Sequence, residues 1–315
     1  MPELAISVRG LRKAYGPIEA VRGLDLAIER GEVFALLGPN GAGKTTTVEI
    51  LEGHRERDGG EVDVLGFDPQ RGERALKEQI GIVLQSPGVE PYLTVAESID
   101  LYRGYYPHPR ATDDVLALVG LTEQRRQRVR RLSGGQQRRL DVAIGLAGDP
   151  QLLFLDEPTT GFDPSARRQA WEMVRGLRAL GKTVLLTTHY MEEAEELADR
   201  VAIIARGAIV AEGSPRALMS RVPGATISFR APPEHAGLLE GVRGADGARG
   251  DAGGRFTLHV DDPTPLLHAL TGRAIERGIT LADLSVTHAS LEDVYLRLTG
   301  EPGADVRGGS GTSAS

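Results

Sequence analysis

Eight consecutive residues, Gly38-Pro39-Asn40-Gly41-Ala42-Gly43-Lys44-Thr45, constrain the fold of this chain more than any other stretch. They follow an apolar run, Val33-Phe34-Ala35-Leu36-Leu37, and precede a helix-compatible segment over 45–51. A buried strand, a glycine-rich turn and a helix, in that order, are the setting in which a loop wraps a phosphate group. Glycines let consecutive backbone N–H groups turn inward to form an anion-sized nest that side chains would obstruct. The helix that follows directs the positive end of its dipole at the same point. Lys44 adds a full charge that can reach β- and γ-phosphates, and the Thr45 hydroxyl can ligate Mg²⁺. The octet predicts binding of a nucleoside triphosphate.

Composition narrows the remaining choices. A chain of 315 residues can hold one large domain and one small one. The net charge of −7 supplies no electrostatic reason to bind nucleic acid, and none is expected as a partner. The chain has no cysteine, which excludes disulfides and thiolate metal sites. The N-terminus lacks a basic-then-apolar leader pattern, and no segment approaches ~20 uninterrupted apolar residues. A cytoplasmic chain is expected, with any membrane role supplied by a partner.

Strand patterns fall at 4–14, 18–28, 33–37, 61–65, 80–84, 151–155, 183–188, 201–205 and 209–211, the first two as an antiparallel pair. Helical patterns fall at 166–180 and 191–198. Strands alternating with helices indicate an α/β fold with a mainly parallel sheet. A helical insertion over about 87–148, interrupted at Pro107 and Pro109, stands in the middle. The acidic run Glu192-Glu193-Ala194-Glu195-Glu196 reads as a solvated helix face.

A second motif is Leu152-Leu153-Phe154-Leu155-Asp156-Glu157-Pro158. An apolar strand ending in a carboxylate brings Asp156 to the C-terminal edge of the sheet, near the glycine loop, where it can hold Mg²⁺. Glu157, one residue on, is then free to polarise an attacking water. A third motif, Leu132-Ser133-Gly134-Gly135-Gln136, precedes a helical run over 137–146 and makes a second anion-binding helix start. One active site rarely needs two such loops from one chain, so the second is expected to serve the nucleotide of another subunit.

These motifs, in this order, resemble those of the ATP-binding cassette (ABC) ATPases, over roughly residues 4–213. The resemblance implies a P-loop NTPase cassette over 1–213, with a mainly parallel sheet core, an antiparallel β subdomain and the helical subdomain. It implies that Tyr15 stacks on adenine, though ordinary packing is an alternative for that side chain. Nucleotide-binding roles follow for Gly38, Pro39, Asn40, Gly41, Ala42, Gly43, Lys44, Thr45 and Thr46, and for Ser133, Gly134, Gly135, Gln136 and Asp163 across a dimer interface. Catalytic roles follow for Lys44, Gln85, Glu157 and His189, and metal-ligating roles for Thr45, Gln85 and Asp156. Phe162 stands where the family usually has Leu. The resemblance further implies ATP and Mg²⁺ as cofactors, a homodimer with ATP at its interface, and an integral-membrane permease subunit that keeps the chain peripheral on the inner face of the cell membrane. Tyr92, Leu93, Tyr102, Tyr105 and Tyr106 either line the groove for that permease or pack the helical subdomain.

Beyond residue 213 the character changes. Strand patterns at 225–230 and 255–260 flank Pro232-Pro233 and a glycine-rich stretch over 241–254. A helix over 263–277, a strand near 284–287 and an amphipathic helix over 290–300 follow. This small C-terminal α/β extension, 214–300, resembles that of bacterial drug- and antibiotic-exporter ATPases of the daunorubicin-resistance type, and residues 301–315 read as a disordered tail. The expectation is an ATPase that energises export of drugs or antibiotics through a separate permease. Its alternatives are the ATPase subunit of an importer or lipid transporter, and a soluble ATP-dependent switch.

Overall fold

Alternating apolar residues in the first thirty positions pair as an antiparallel hairpin, β1 (Leu4–Tyr15) and β2 (Ile18–Glu29), closed where Tyr15 meets Ile18. One face of the hairpin is buried, through Ile6, Val8, Leu11, Val21, Leu24, Leu26 and Ile28. After β3 (Val33–Leu37) and α1 (Lys44–Leu51), β4 (Gly59–Val64) adds to the free side of β1 and completes a three-stranded sheet of order β2-β1-β4. These elements belong to the larger of two units, Met1–Pro215 and Arg216–Ser315. The structure is a computed structural model that describes residues 3–83, 89–222, 224–231, 249–250 and 254–299.

The wholly apolar runs become strands covered on both faces, as a parallel sheet requires. A short helix, α2 (Arg74–Lys77), leads to β5 (Ile80–Val83). The helical segment supplies α3 (Val95–Arg103), α4 (Thr112–Leu118) and α5 (Gly134–Leu146) before β6 (Leu152–Asp156). Helix α6 (Pro164–Ala179), β7 (Thr183–Thr188), α7 (Met191–Leu197), β8 (Arg200–Ala205) and β9 (Ala208–Gly213) complete the larger unit. The six-stranded sheet has the order β5-β6-β7-β3-β8-β9, parallel throughout except for the antiparallel β9. Phe34, Leu36, Leu152, Phe154, Leu185, Ala202 and Ile204 alternate onto one face and pack with Val48 and Leu51 of α1 against the three-stranded sheet. α5 lies so close to β5 that a Cβ added to Gly81 would fall 2.2 Å from the Gly145 carbonyl oxygen.

Around the unit boundary runs the short α8 (Pro215–Met219). The smaller unit is a four-stranded sheet of β10 (Ala225–Arg230), β11 (Arg249–Gly250), β12 (Arg255–Val260) and β13 (Ala282–His288), ordered β11-β12-β10-β13 and antiparallel. Helix α9 (Pro263–Glu276) buries Leu266, Leu270 and Ala274 against Ile227, Phe229, Phe256 and Leu258. The terminal helix, α10 (Leu291–Thr299), starts where Ser290 Oγ accepts a hydrogen bond from Asp293 N at 3.2 Å. Arg249 and Gly250 pair with β12, so the glycine-rich stretch contains a strand that its composition does not predict. The tail over 301–315 lies outside the described residues.

Candidate functional site

The glycine loop sits between β3 and α1, and two of its glycines are required by what lies behind it. A Cβ on Gly38 would fall 2.4 Å from the Ile204 carbonyl oxygen of β8, and one on Gly43 2.4 Å from that of Ala20 in β2. Gly43 also has φ +105°, which L-residues with side chains rarely adopt. Lys44 is buried, and its Nζ donates to the carbonyl oxygens of Gly38 at 2.7 Å and Pro39 at 3.1 Å, across the mouth of the loop. Burial pushes its pKa below the ordinary lysine value, opposed by the nearby carboxylates of Glu157 and Asp156. A desolvated ammonium whose partners are two carbonyls is poised to take a stronger anionic acceptor. Thr45 is exposed and Thr46 half-buried at the helix start.

Sheet register brings Asp156 and the residues around it to this loop. β7 runs between β3 and β6, aligned so that Thr188 pairs with Leu37 and Thr187 with Asp156. All three strands therefore end together, and Asp156 stands one strand removed from the glycine loop with Thr187 between. The Thr187 hydroxyl donates a close hydrogen bond to Asp156 Oδ1 and accepts from the Glu157 N–H at 3.1 Å. Glu157 takes the left-handed conformation, φ +46°, which costs a non-glycine residue about 1–2 kcal/mol. The Glu157 carboxylate meets His189 Nδ1 at 3.1 Å and accepts from the Thr160 hydroxyl at 3.0 Å. His189 and Thr160 thus hold the Glu157 carboxylate in place. Gln85 lies outside the described residues.

The Ser-Gly-Gly-Gln motif starts its helix three residues earlier than the sequence predicts. Ser133 is the N-cap of α5, with its Oγ accepting from Gln136 N at 3.3 Å while Gln136 Oε1 accepts from Ser133 N at 3.0 Å. Gly134 is exposed, and a Cβ there would meet nothing within 4 Å, so packing within the chain does not demand its glycine. Ser133, Gly134 and Gly135 share a cavity of about 570 Å³ with Gly161, Phe162 and Asp163. Phe162 thus faces that cavity. Asp163 caps α6, its Oδ1 accepting from Ser165 N at 2.8 Å and Ala166 N at 2.9 Å. Tyr15, at the end of β1, is exposed, with the Arg55 guanidinium 5.3 Å and the Lys13 amine 5.8 Å from its ring centroid.

Several buried ionisable groups around the site escape sequence reading. Glu52, just past α1, is buried, and desolvation with the neighbouring Asp156 and Glu49 charges pushes its pKa up to about 8. Glu193 is fully buried rather than solvated, so the acidic run is not a uniform surface face. Its polar neighbours Thr188, Thr159 and Trp171 stand at geometry looser than full hydrogen bonds, and burial raises its pKa. Arg138 and Asp141, on the inward side of α5, are buried together. Burial lifts Asp141 to about 7. A helical period over 134–146 is the one signal that puts positions 138, 141, 142 and 145 on a common face. In the helical segment, Tyr92 and Tyr105 are 64% and 69% exposed, whereas Tyr106 packs against Gly148.

A phosphate-binding loop, an acidic strand end and a Ser-Gly-Gly-Gln helix start on one mixed sheet define the class of the protein as a nucleotide-hydrolysing cassette. The ABC transporter family model matches residues 21–160. The chain is 40% identical to Nod factor export ATP-binding protein I of Ralstonia nicotianae over 94% of both chains. It is 37% identical to the daunorubicin/doxorubicin resistance ATP-binding protein DrrA of Streptomyces peucetius, over 96% of this chain and 95% of that one. Among solved structures, cbiO1 from Clostridium perfringens, part of the ABC transporter complex cbiONQ, superposes with a TM-score of 0.63 at 26% identity, covering 69% of this chain and 91% of that one. A dimeric post-hydrolysis ATP-binding cassette bound to ADP and Pi gives a TM-score of 0.59 at 25% identity, over 66% and 98%. This chain belongs to the ABC transporter ATP-binding proteins: it is an ATPase cassette, the ATP-binding subunit of a transporter with exporter-type relatives.

Proposed function

We propose that this protein hydrolyses ATP to drive an exporter whose membrane pathway is a separate permease, with a hydrophobic drug or antibiotic as cargo. The observation that carries this reading is that the likeness to proteins named for export and for daunorubicin resistance runs through 94–96% of the chain, the C-terminal unit included. Among the described residues no helix is long and apolar enough to cross a membrane, so the pathway itself falls to a partner.

In this reading Lys44 and the N–H groups of the loop over 38–45 bind the β- and γ-phosphates, and Tyr15 stacks on adenine. Mg²⁺, when bound, neutralises charge on the phosphate oxygens. Thr45 and Asp156 fit it as hard oxygen ligands completed by phosphate, with Gln85 the third candidate. Glu157 orients and deprotonates the attacking water, and His189, 3.1 Å from its carboxylate, holds that base in place and reaches the γ-phosphate. Ser133, Gly134, Gly135, Gln136 and Asp163 grip the nucleotide of a second copy, so hydrolysis removes the bridge between the two.

Replacing Glu157 with Gln removes the base and keeps the phosphate grip. The variant is expected to elute as a dimer with ATP and to lose turnover. A strictly monomeric, ATP-loaded Glu157→Gln protein refutes the shared-nucleotide reading, and wild-type turnover refutes the role of Glu157. Affinity isolation from membranes with and without ATP tests the exporter assignment, through whether a polytopic permease co-purifies.

A further inference from the structure

The helix that begins with Ser133 reaches back to the backbone around Glu157 through a single side chain. Arg138 lies five residues into the motif helix, about one and a half turns from Ser133, and is buried at 9% exposure. Its Nη2 donates to the Asp156 carbonyl oxygen at 2.9 Å, and its Nε to that of Pro158 at 3.4 Å. Those two carbonyls flank Glu157, the one residue of the segment held at positive φ. Thr187 fixes the same residue from the other side through its N–H. Glu157 is thus clamped in a strained backbone conformation between an arginine of α5 and a threonine of β7.

A planar guanidinium with its donors in a fixed fork suits this task, because it spans two carbonyls without reorganising. Asp141, a turn further on, has its Oδ2 3.9 Å from Arg138 Nη1. The C-terminal half of α5 is seated on β5 by the Gly145–Gly81 approach. The helix is therefore braced at one end, and its free N-terminus carries Ser133, Gly134, Gly135 and Gln136.

We propose that Arg138 is a positioning residue that ties the Ser-Gly-Gly-Gln helix to the Glu157 backbone, so that occupancy of that helix start by a second copy's nucleotide sets the alignment of Glu157 for its own. This rests on the assignment of Glu157 as the base. The strut links two nucleotide sites through one rigid element, and its consequence is positive cooperativity in ATP.

The test uses the full chain with Arg138→Met and Arg138→Lys, and Glu157→Gln alongside. Binding of N-methylanthraniloyl-ATP is read by fluorescence, turnover against ATP concentration by phosphate release, and folding by circular-dichroism melts. Arg138→Met is expected to bind the analogue within about twofold of wild type while kcat falls roughly 10- to 100-fold and the Hill coefficient drops toward one. Arg138→Lys keeps the charge but loses the fork, and is expected to restore part of kcat. A folded Arg138→Met protein with wild-type kcat, or a loss of kcat matched by an equal loss of binding, overturns the proposal. Should the Met variant fail to fold, the Lys variant decides: lowered kcat with intact binding supports the strut, and wild-type kcat overturns it. Wild-type turnover in Glu157→Gln would instead overturn the underlying assignment, whatever Arg138 does.

Discussion

Replacing Thr187 with Val tests whether the hydroxyl between two strand ends organises the site. Thr187 is 1% exposed, and Val matches its shape, so no cavity opens. The hydroxyl's two hydrogen bonds are lost, the one it donates to Asp156 Oδ1 and the one it accepts from the Glu157 N–H. Bonds to a charged acceptor contribute about 1.5–3 kcal/mol. The Glu157 N–H is not orphaned, because it retains the Thr187 carbonyl oxygen at 3.1 Å. The expected loss of stability is therefore about 1.5–3 kcal/mol, read as a lower urea midpoint at unchanged slope. Without its orienting donor, Asp156 should hold Mg²⁺ less well, by roughly 10- to 100-fold, as when other outer-sphere partners of metal ligands are removed. A Mg²⁺ titration of ATP hydrolysis at saturating ATP reads that shift directly. Unchanged Mg²⁺ dependence in a folded Thr187→Val protein refutes the argument that this hydroxyl orients the metal-binding carboxylate. A stability loss below about 0.5 kcal/mol refutes the charge-assisted character of the bond.

Two further outcomes follow from buried carboxylates and caps. The native state keeps a proton on Glu52 up to about pH 8 while the unfolded chain releases it near 4.5, so the native state binds more protons across that window. Its stability contribution is whole below about pH 4.5 and is lost as pH rises through about 8. His54 Nδ1 lies 3.2 Å from the carboxylate, but its ring is 55% exposed, so screening leaves burial dominant. Glu52→Gln should therefore become progressively more stable than wild type from pH 5 to pH 9, by roughly 3–5 kcal/mol at the upper end, in denaturation melts across pH. A pH-independent difference would show that the group is not held neutral. Asp163→Ala removes the α6 cap and should cost about 1 kcal/mol in urea denaturation without nucleotide, whereas Asp163→Asn should lose only tenths.

Much of the α/β cassette was legible because its signals are local. An all-apolar five-residue run such as Val33–Leu37 becomes a buried strand wherever it stands in a parallel sheet, and Gly43 marks the helix start by its backbone alone. The sequence places the start of α5 three residues late because Gly134 and Gly135 have poor helix propensity, which the Ser133–Gln136 capping box overrides. The acidic run conceals the burial of Glu193 because Glu192 and Glu196 are exposed, while its own position on α7 turns inward. The short pairing of Arg249 and Gly250 was hidden by a glycine-rich composition that usually means loop.

The amino-acid order by itself determined which residues grip phosphate, because a nest of N–H groups and a helix start are made by contiguous backbone. It could not determine which distant side chains hold that grip in register. Thr187 meets Asp156, His189 meets Glu157 and Arg138 meets the carbonyls around Glu157 because packing aligns β6, β7 and α5, bringing together residues 18 to 32 positions apart. A slip of one residue in the strand register would turn Thr187 away from Asp156, to the opposite face of the sheet. Only the folded sheet decides it.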